Sequence, residues 1–284
     1  MKKSIKIGLA TALTICALNA SENTNELSAL DQKVIKAEQG KIAGNPNVQL
    51  KKLGISFKKE LSNGWTGYIM SIDILVKDNI QTVKDTVYTN GKEFVNRLYD
   101  LETGNDYLDK MTPPMSQEYY KKEYLISGNE NAAHKMVLFS DPLCPVCVDV
   151  VPGLINKVKM HPNDVALYYI PFPLSMHPTS GTIVKASIIA KKEGIKDVSY
   201  KVYNGRFGDF LDISAETNQE VALKAFNTIL GTSITMEQIN TKDVNQTMKI
   251  GMELSEKIMI SGTPTVYFDG EKDETRSKYL QVLK

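Results

Sequence analysis

A largely apolar run without charge, Ile7 to Leu18, lies between the basic start Met1-Lys2-Lys3-Ser4-Ile5-Lys6 and the polar Asn19-Ala20-Ser21-Glu22. A basic segment, a short apolar stretch and a small residue before polar sequence predict a Sec-type signal peptide over residues 1–20. The run is too short to span a membrane, which takes about 20 apolar residues. A lipoprotein signal using Cys16 is disfavoured, because Ile15 stands where such signals carry a small residue.

After the leader the period changes. Leu27, Leu30, Val34, Ile35 and Ala37 follow helical spacing until Asn45-Pro46-Asn47. Strand alternation follows at Leu53, Ile55 and Phe57, then from Trp65 to Val76 with Tyr68, Met70, Ile72 and Ile74 on one face. Asn63-Gly64 and Asn90-Gly91 predict tight turns. These elements make a small antiparallel sheet with a helix over residues 21–110, a unit whose edge strands call for capping or a partner chain. The charged, tyrosine-rich stretch Gln117 to Leu125 predicts a solvated linker helix within a linker over 111–131.

From residue 132 onward strands and helices alternate. Met136–Phe139 and Val165–Ile170 read as buried strands around a helix over 145–160. Helices follow at Thr182–Lys192, Asn218–Leu230 and about Thr241–Ile258, then a strand at Thr265–Phe268, a turn at Asp269-Gly270 and a terminal helix near Ser277–Leu283. This is an α/β domain over 132–284 carrying a helical insertion at about 178–258, and the chain as a whole is α+β.

Composition adds constraints. The 284 residues are 42% hydrophobic and 24% charged, an ordinary globular balance. The net charge of +1 becomes −2 once the leader's Lys2, Lys3 and Lys6 are removed, so nothing points to nucleic acid. Three cysteines are too few for a disulfide scaffold. Removing Cys16 leaves Cys144 and Cys147.

Those two form the motif Cys144-Pro145-Val146-Cys147, directly after a buried strand and at the mouth of a helix. The thiolate is the reactive form of cysteine, and a helix N-terminus favours an anion through unsatisfied N–H groups and the helix dipole. Pro145 suits the first helical turn. Val146 carries no charge, so the helix mouth has to supply most of the stabilisation of a Cys144 thiolate. A structural disulfide across so short a loop gains little entropy. A metal site lacks further ligands, since His134, His161 and His177 do not form a spaced pair. Asp141 reads as a cap or turn residue ahead of the motif, with a proton relay as its sharper alternative. His177 reads as a loop or cap residue.

Together with Gly262-Thr263-Pro264-Thr265 before the last strand, the motif resembles the thioredoxin superfamily. The resemblance implies a thioredoxin fold with Cys144 and Cys147 as the redox pair. It also implies a cis proline at Pro264 that, with Thr263, binds substrate chain, and a kink proline at Pro152. More narrowly the chain is similar to periplasmic Dsb isomerases of the DsbC/DsbG type, through Trp65-Thr66-Gly67-Tyr68 and Tyr88-Thr89-Asn90-Gly91-Lys92 as well. That likeness implies an N-terminal dimerisation domain, a homodimer in the periplasm, no cofactor, and isomerisation or reduction of wrong disulfides in exported proteins. A membrane reductase of the DsbD type would keep the cysteines reduced. Pro145, and Phe172-Pro173-Leu174 with His177-Pro178, resemble the DsbA side instead, which implies a dithiol oxidase served by a DsbB-type partner. A redox-independent chaperone is a third reading.

Overall fold

Ser28 opens the first element as a cap, its side chain accepting from the Asp31 N–H while the Asp31 carboxylate accepts from the Ser28 N–H. In this computed structural model, residues 27–45, 48–76 and 79–283 are described. The expected leader, with Cys16, lies outside them. The chain divides after Pro113 into two units.

In the first unit, helix α1 (Ala29–Ala43) accompanies an antiparallel sheet in the order β1 (Gln49–Glu60), β2 (Thr66–Val76), β3 (Asn79–Thr89), β4 (Phe94–Val95). Val34 and Ile35 of α1 pack with Leu53, Tyr68, Met70, Ile72 and Val87, the inward residues of alternating strands. The buried Asp31 carboxylate ties helix to sheet, accepting from Tyr68 Oη at 2.9 Å and Lys58 Nζ at 3.0 Å. Those donors and the Ser28 cap hold its carboxyl below the usual carboxylate range, against the opposing effect of burial. Gly67 allows a close approach on β2: a Cβ there would meet the Met111 sulfur at 2.2 Å.

The second unit is a five-stranded sheet in the order β5 (Leu125–Ser127), β7 (Val165–Pro171), β6 (His134–Ser140), β8 (Thr265–Phe268), β9 (Glu271–Lys272). Only the β6–β7 pair is parallel, joined through helix α2 (Pro145–Met160). Alternation along β6 supplies two cores. Met136 and Leu138 pack with Val151, Leu154, Ile155 and Val158 of α2, while Val137 and Phe139 pack with Leu254 of α7 (Lys242–Lys257). Pro152 lies inside α2. Between β7 and β8 run α3 (Ser180–Lys192), α4 (Val198–Asn204), α5 (Gln219–Leu230), α6 (Met236–Ile239) and α7. The insertion has its own core around Ile183, Val202, Phe207 and Phe226. The unit is thus an α/β sheet domain with a helical insertion between β7 and β8, the layout the sequence resemblance implied.

One expected element is absent. The linker helix over Gln117–Leu125 is replaced by two single 3-10 turns, Gln117–Tyr120 and Lys122–Tyr124, leading into β5. The charged positions suggested a solvated helix, but Tyr119 and Tyr124 are buried. Tyr119 packs edge-on against Phe139 and donates to the Leu254 carbonyl at 2.8 Å, so the segment is drawn onto the domain rather than into solvent. The expected terminal helix is likewise one 3-10 turn, Lys278–Gln281.

Candidate active site

The end of β6, a three-residue loop and the start of α2 set the two cysteines. Cys144 is the N-cap of α2, with extended backbone, and its carbonyl accepts the Val148 N–H at 3.0 Å. Pro145 fills the first helical position, where a missing N–H costs nothing. Cys147, one turn on, is fully buried, whereas Cys144 keeps 6% exposure and Val146 beside it is 48% exposed. Both cysteines are free thiols.

Before β8, the Thr263–Pro264 peptide bond is cis. The Thr263 carbonyl lies 3.7 Å from Cys144 Sγ, so the two segments that the sequence separates meet at the sulfur. Thr263 also faces Cys147. Burial pushes the Cys147 thiol up to about 11, opposed by the Ser140 and Thr263 hydroxyls and the Asp141 N–H, all of which favour its thiolate. At neutral pH that burial favours the protonated thiol at Cys147, while Cys144, at the helix mouth, is the less buried sulfur of the two.

Asp141 is fully buried three residues ahead of Cys144. One carboxylate oxygen accepts the Leu143 N–H at 2.7 Å and the Ser180 hydroxyl at 2.6 Å; the other accepts the Leu174 N–H and pairs with His177 Nδ1, each at 2.8 Å. The turn role expected for Asp141 accounts for one of these four contacts. The others join it to the segment after β7, a function the sequence did not disclose. Leu143 is buried in the core of the insertion, not in the sheet core, and so pins the cysteine loop to the helices.

Sequence reasoning missed Ser140, Tyr203 and Tyr169. The Tyr203 hydroxyl, carried by α4, stands 2.8 Å from Ser140 Oγ and 3.3 Å from Tyr169 Oη. The expected strand stopped at Phe139; extended by one residue, its alternation puts Ser140 on the same face as Met136 and Leu138. Beside the motif lies a cavity of about 220 Å³ lined by Pro142, Leu143, Pro145, Val148, Phe207 and Ile213, with Asp149, Arg206 and Asp209 also on its wall. Among the described residues no group of three or more His, Cys, Asp or Glu is placed to hold a metal ion, and no helix is long and apolar enough to cross a membrane.

A family model described as thioredoxin matches residues 121–284. No curated protein matches the chain. Solved structures with partial likeness include a thioredoxin-like oxidoreductase from Silicibacter pomeroyi DSS-3, 20% identical over 56% of this chain and 87% of that one, TM-score 0.45. A periplasmic thioredoxin-like protein from Salmonella enterica serovar Typhimurium is 16% identical over 59% and 92%, TM-score 0.46. DsbA2 from Pseudomonas aeruginosa is 18% identical over 56% and 91%, TM-score 0.42.

Proposed function

Because the chain belongs to the thioredoxin family, whose chemistry is thiol–disulfide interchange, we propose that it isomerises or reduces wrong disulfides of exported proteins in the periplasm through Cys144 and Cys147. The observation that carries this reading is the asymmetry of the pair: a sulfur at a helix mouth with a small exposed edge beside the Thr263 carbonyl, backed by a fully buried one.

The steps follow from that asymmetry. Cys144 as thiolate attacks one sulfur of a substrate disulfide; the other substrate sulfur leaves with the bonding pair, and a mixed disulfide remains. A second substrate thiolate can then displace Cys144, which isomerises the substrate with no net electron transfer. Alternatively Cys147 loses its proton and attacks Cys144 Sγ, and the substrate leaves reduced, two electrons having passed from the pair. A Cys147 held protonated by burial slows this escape and gives the substrate time to rearrange. The Thr263 and Pro264 backbone lies where a substrate strand would pair beside the sulfurs, and the cavity along Pro145, Val148 and Phe207 offers an apolar seat for it.

The first unit is assigned to dimerisation. Its exposed Ile80, Phe94, Val95, Tyr99 and Leu101 support a partner-covered surface. Pro145 supports the reverse direction, a dithiol oxidase. Reactivation of scrambled ribonuclease by the reduced protein tests the choice. Recovery of activity with no net loss of protein thiols supports isomerisation. Recovery only from fully reduced ribonuclease, by the disulfide form, reverses the direction, and no exchange through Cys144 in either assay overturns the reading.

A further inference from the structure

Ser140 ends β6 fully buried, and its position in the alternation turns its side chain to the α2 face, where its hydroxyl favours the Cys147 thiolate. Two phenols stand behind it. Tyr169 of β7 donates to the Ser140 carbonyl at 3.4 Å. Tyr203 of α4 has two acceptors in reach, Ser140 Oγ at 2.8 Å and Tyr169 Oη at 3.3 Å, and its single hydrogen goes to the nearer. Once Tyr203 fills the acceptor side of Ser140 Oγ, the serine's own hydrogen is left for the sulfur. Burial pushes both phenols up, so each remains a donor throughout the working pH range. The other titratable groups around this network are Cys144 on the same helix, the Asp141–His177 pair ahead of it, and Lys191 of α3, whose ammonium stands 5.7 Å over the Tyr169 ring.

We propose that Tyr203 and Ser140 are positioning residues for the resolving step, Tyr203 orienting the Ser140 hydroxyl so that it donates to the Cys147 sulfur as that sulfur becomes a thiolate. The proposal rests on the exchange reading above, in which Cys144 attacks and Cys147 resolves. On the mixed disulfide, Cys147 gives up its proton to water and its sulfur attacks Cys144 Sγ. The bond from Cys144 to the substrate sulfur breaks, and that sulfur leaves with the electron pair and takes a proton back from water. Ser140 and Tyr203 keep their hydrogens. Their contribution is to lower the cost of a thiolate in a fully buried site, where an unpaired charge is expensive.

The pair also reaches across the fold. Tyr203 belongs to the helical insertion, with its ring edge-on to Tyr169, so α4 sets the hydrogen bonding of a sulfur on a different helix.

Rapid acid quenching of the reduced full-length protein with glutathione disulfide separates the two steps. Formation of the Cys144–glutathione adduct reads attack by Cys144, and its decay reads resolution by Cys147. Tyr203→Phe and Ser140→Ala, each removing one oxygen atom, should leave formation unchanged within about twofold and slow decay about tenfold between pH 6 and 9, displacing the decay profile about one pH unit to the alkaline side. A lowered melting temperature with an unshifted decay profile assigns the pair a structural role and overturns the proposal. Equal slowing of both steps also overturns it. If the unaltered protein forms no adduct, the exchange reading falls and takes the proposal with it; normal adduct formation with unshifted decay in both variants removes the proposal alone.

Discussion

The Asp141 carboxylate meets the His177 ring at 2.8 Å with neither side chain more than 7% exposed, and the same carboxylate holds Leu143 N, Leu174 N and Ser180 Oγ. One buried acid thus joins the cysteine loop to the segment after β7 and to the first turn of α3. Asp141→Ala leaves a buried imidazole and three donors without their acceptor, an expected loss of about 3–5 kcal/mol. Urea unfolding of the reduced protein measures it. A loss under about 1 kcal/mol would show that water or another side chain takes over the four contacts.

Exchange should separate the two cysteines. Cys144→Ser abolishes it, and Cys147→Ser accumulates mixed disulfides, because nothing within the chain remains to displace the substrate. Non-reducing electrophoresis of the two variants with an oxidised client reads the outcome. Complexes trapped through Cys147 in the Cys144→Ser protein would reverse the assignment of attacker and resolver.

Burial of Cys147 has a signature in stability. Its folded value of about 11 lies above the ordinary thiol value of 9.0, so stability is fully present below about pH 9 and declines as pH rises toward 11, where the unfolded chain has already released the proton that the folded one retains. The loss over that window is about 1–3 kcal/mol. The difference in unfolding free energy between reduced protein and Cys147→Ser, followed from pH 8 to 11, isolates it from the tyrosines. A flat difference would mean that Cys147 is not desolvated.

Leu143 carries the loop into the core of the insertion. Leu143→Ala should cost about 2–5 kcal/mol and slow attack by Cys144, since the cavity loosens the residue next to the sulfur. Thermal unfolding and alkylation of Cys144 in the Cys147→Ser background measure the two effects. Lost stability with an unchanged alkylation rate would confine Leu143 to packing.

The dimer reading depends on the first unit. Sedimentation at micromolar concentration should give two chains per particle, and Phe94→Asp with Val95→Asp should shift the particle toward one chain by placing charge on an exposed apolar strand. A monomer before substitution removes this part of the proposed function.

What the sequence disclosed was what local chemistry encodes. Helix α2 begins at the proline after Cys144, α5 is bounded by the Asn218 cap and by Gly231 at φ 67°, and Asp269 and Gly270 both have positive φ in the turn from β8 to β9. Each boundary is written in one or two residues. Helix α4 was not legible: seven residues after a left-handed Asp197 give too little period. Nor was the contact between Ser140 and Tyr203, which are 63 positions apart and meet through tertiary packing alone. Tyrosines misled in the opposite direction at 117–124, where charged neighbours masked the rings that bury. Three of the four partners of Asp141 were hidden because they lie more than 30 positions away.

Leu143 in the helical core and Tyr203 on the Ser140 hydroxyl tie the insertion to the motif at two points. If Tyr203 has the positioning role proposed above, substitutions in the insertion helices would reset how long a client stays attached while Cys144-Pro145-Val146-Cys147 stays unaltered. Two proteins sharing the same four residues can then differ in trade, one releasing clients at once and the other holding them until they rearrange. On that reading the dipeptide between the cysteines is an incomplete label, and the helix that carries Tyr203 belongs in the comparison.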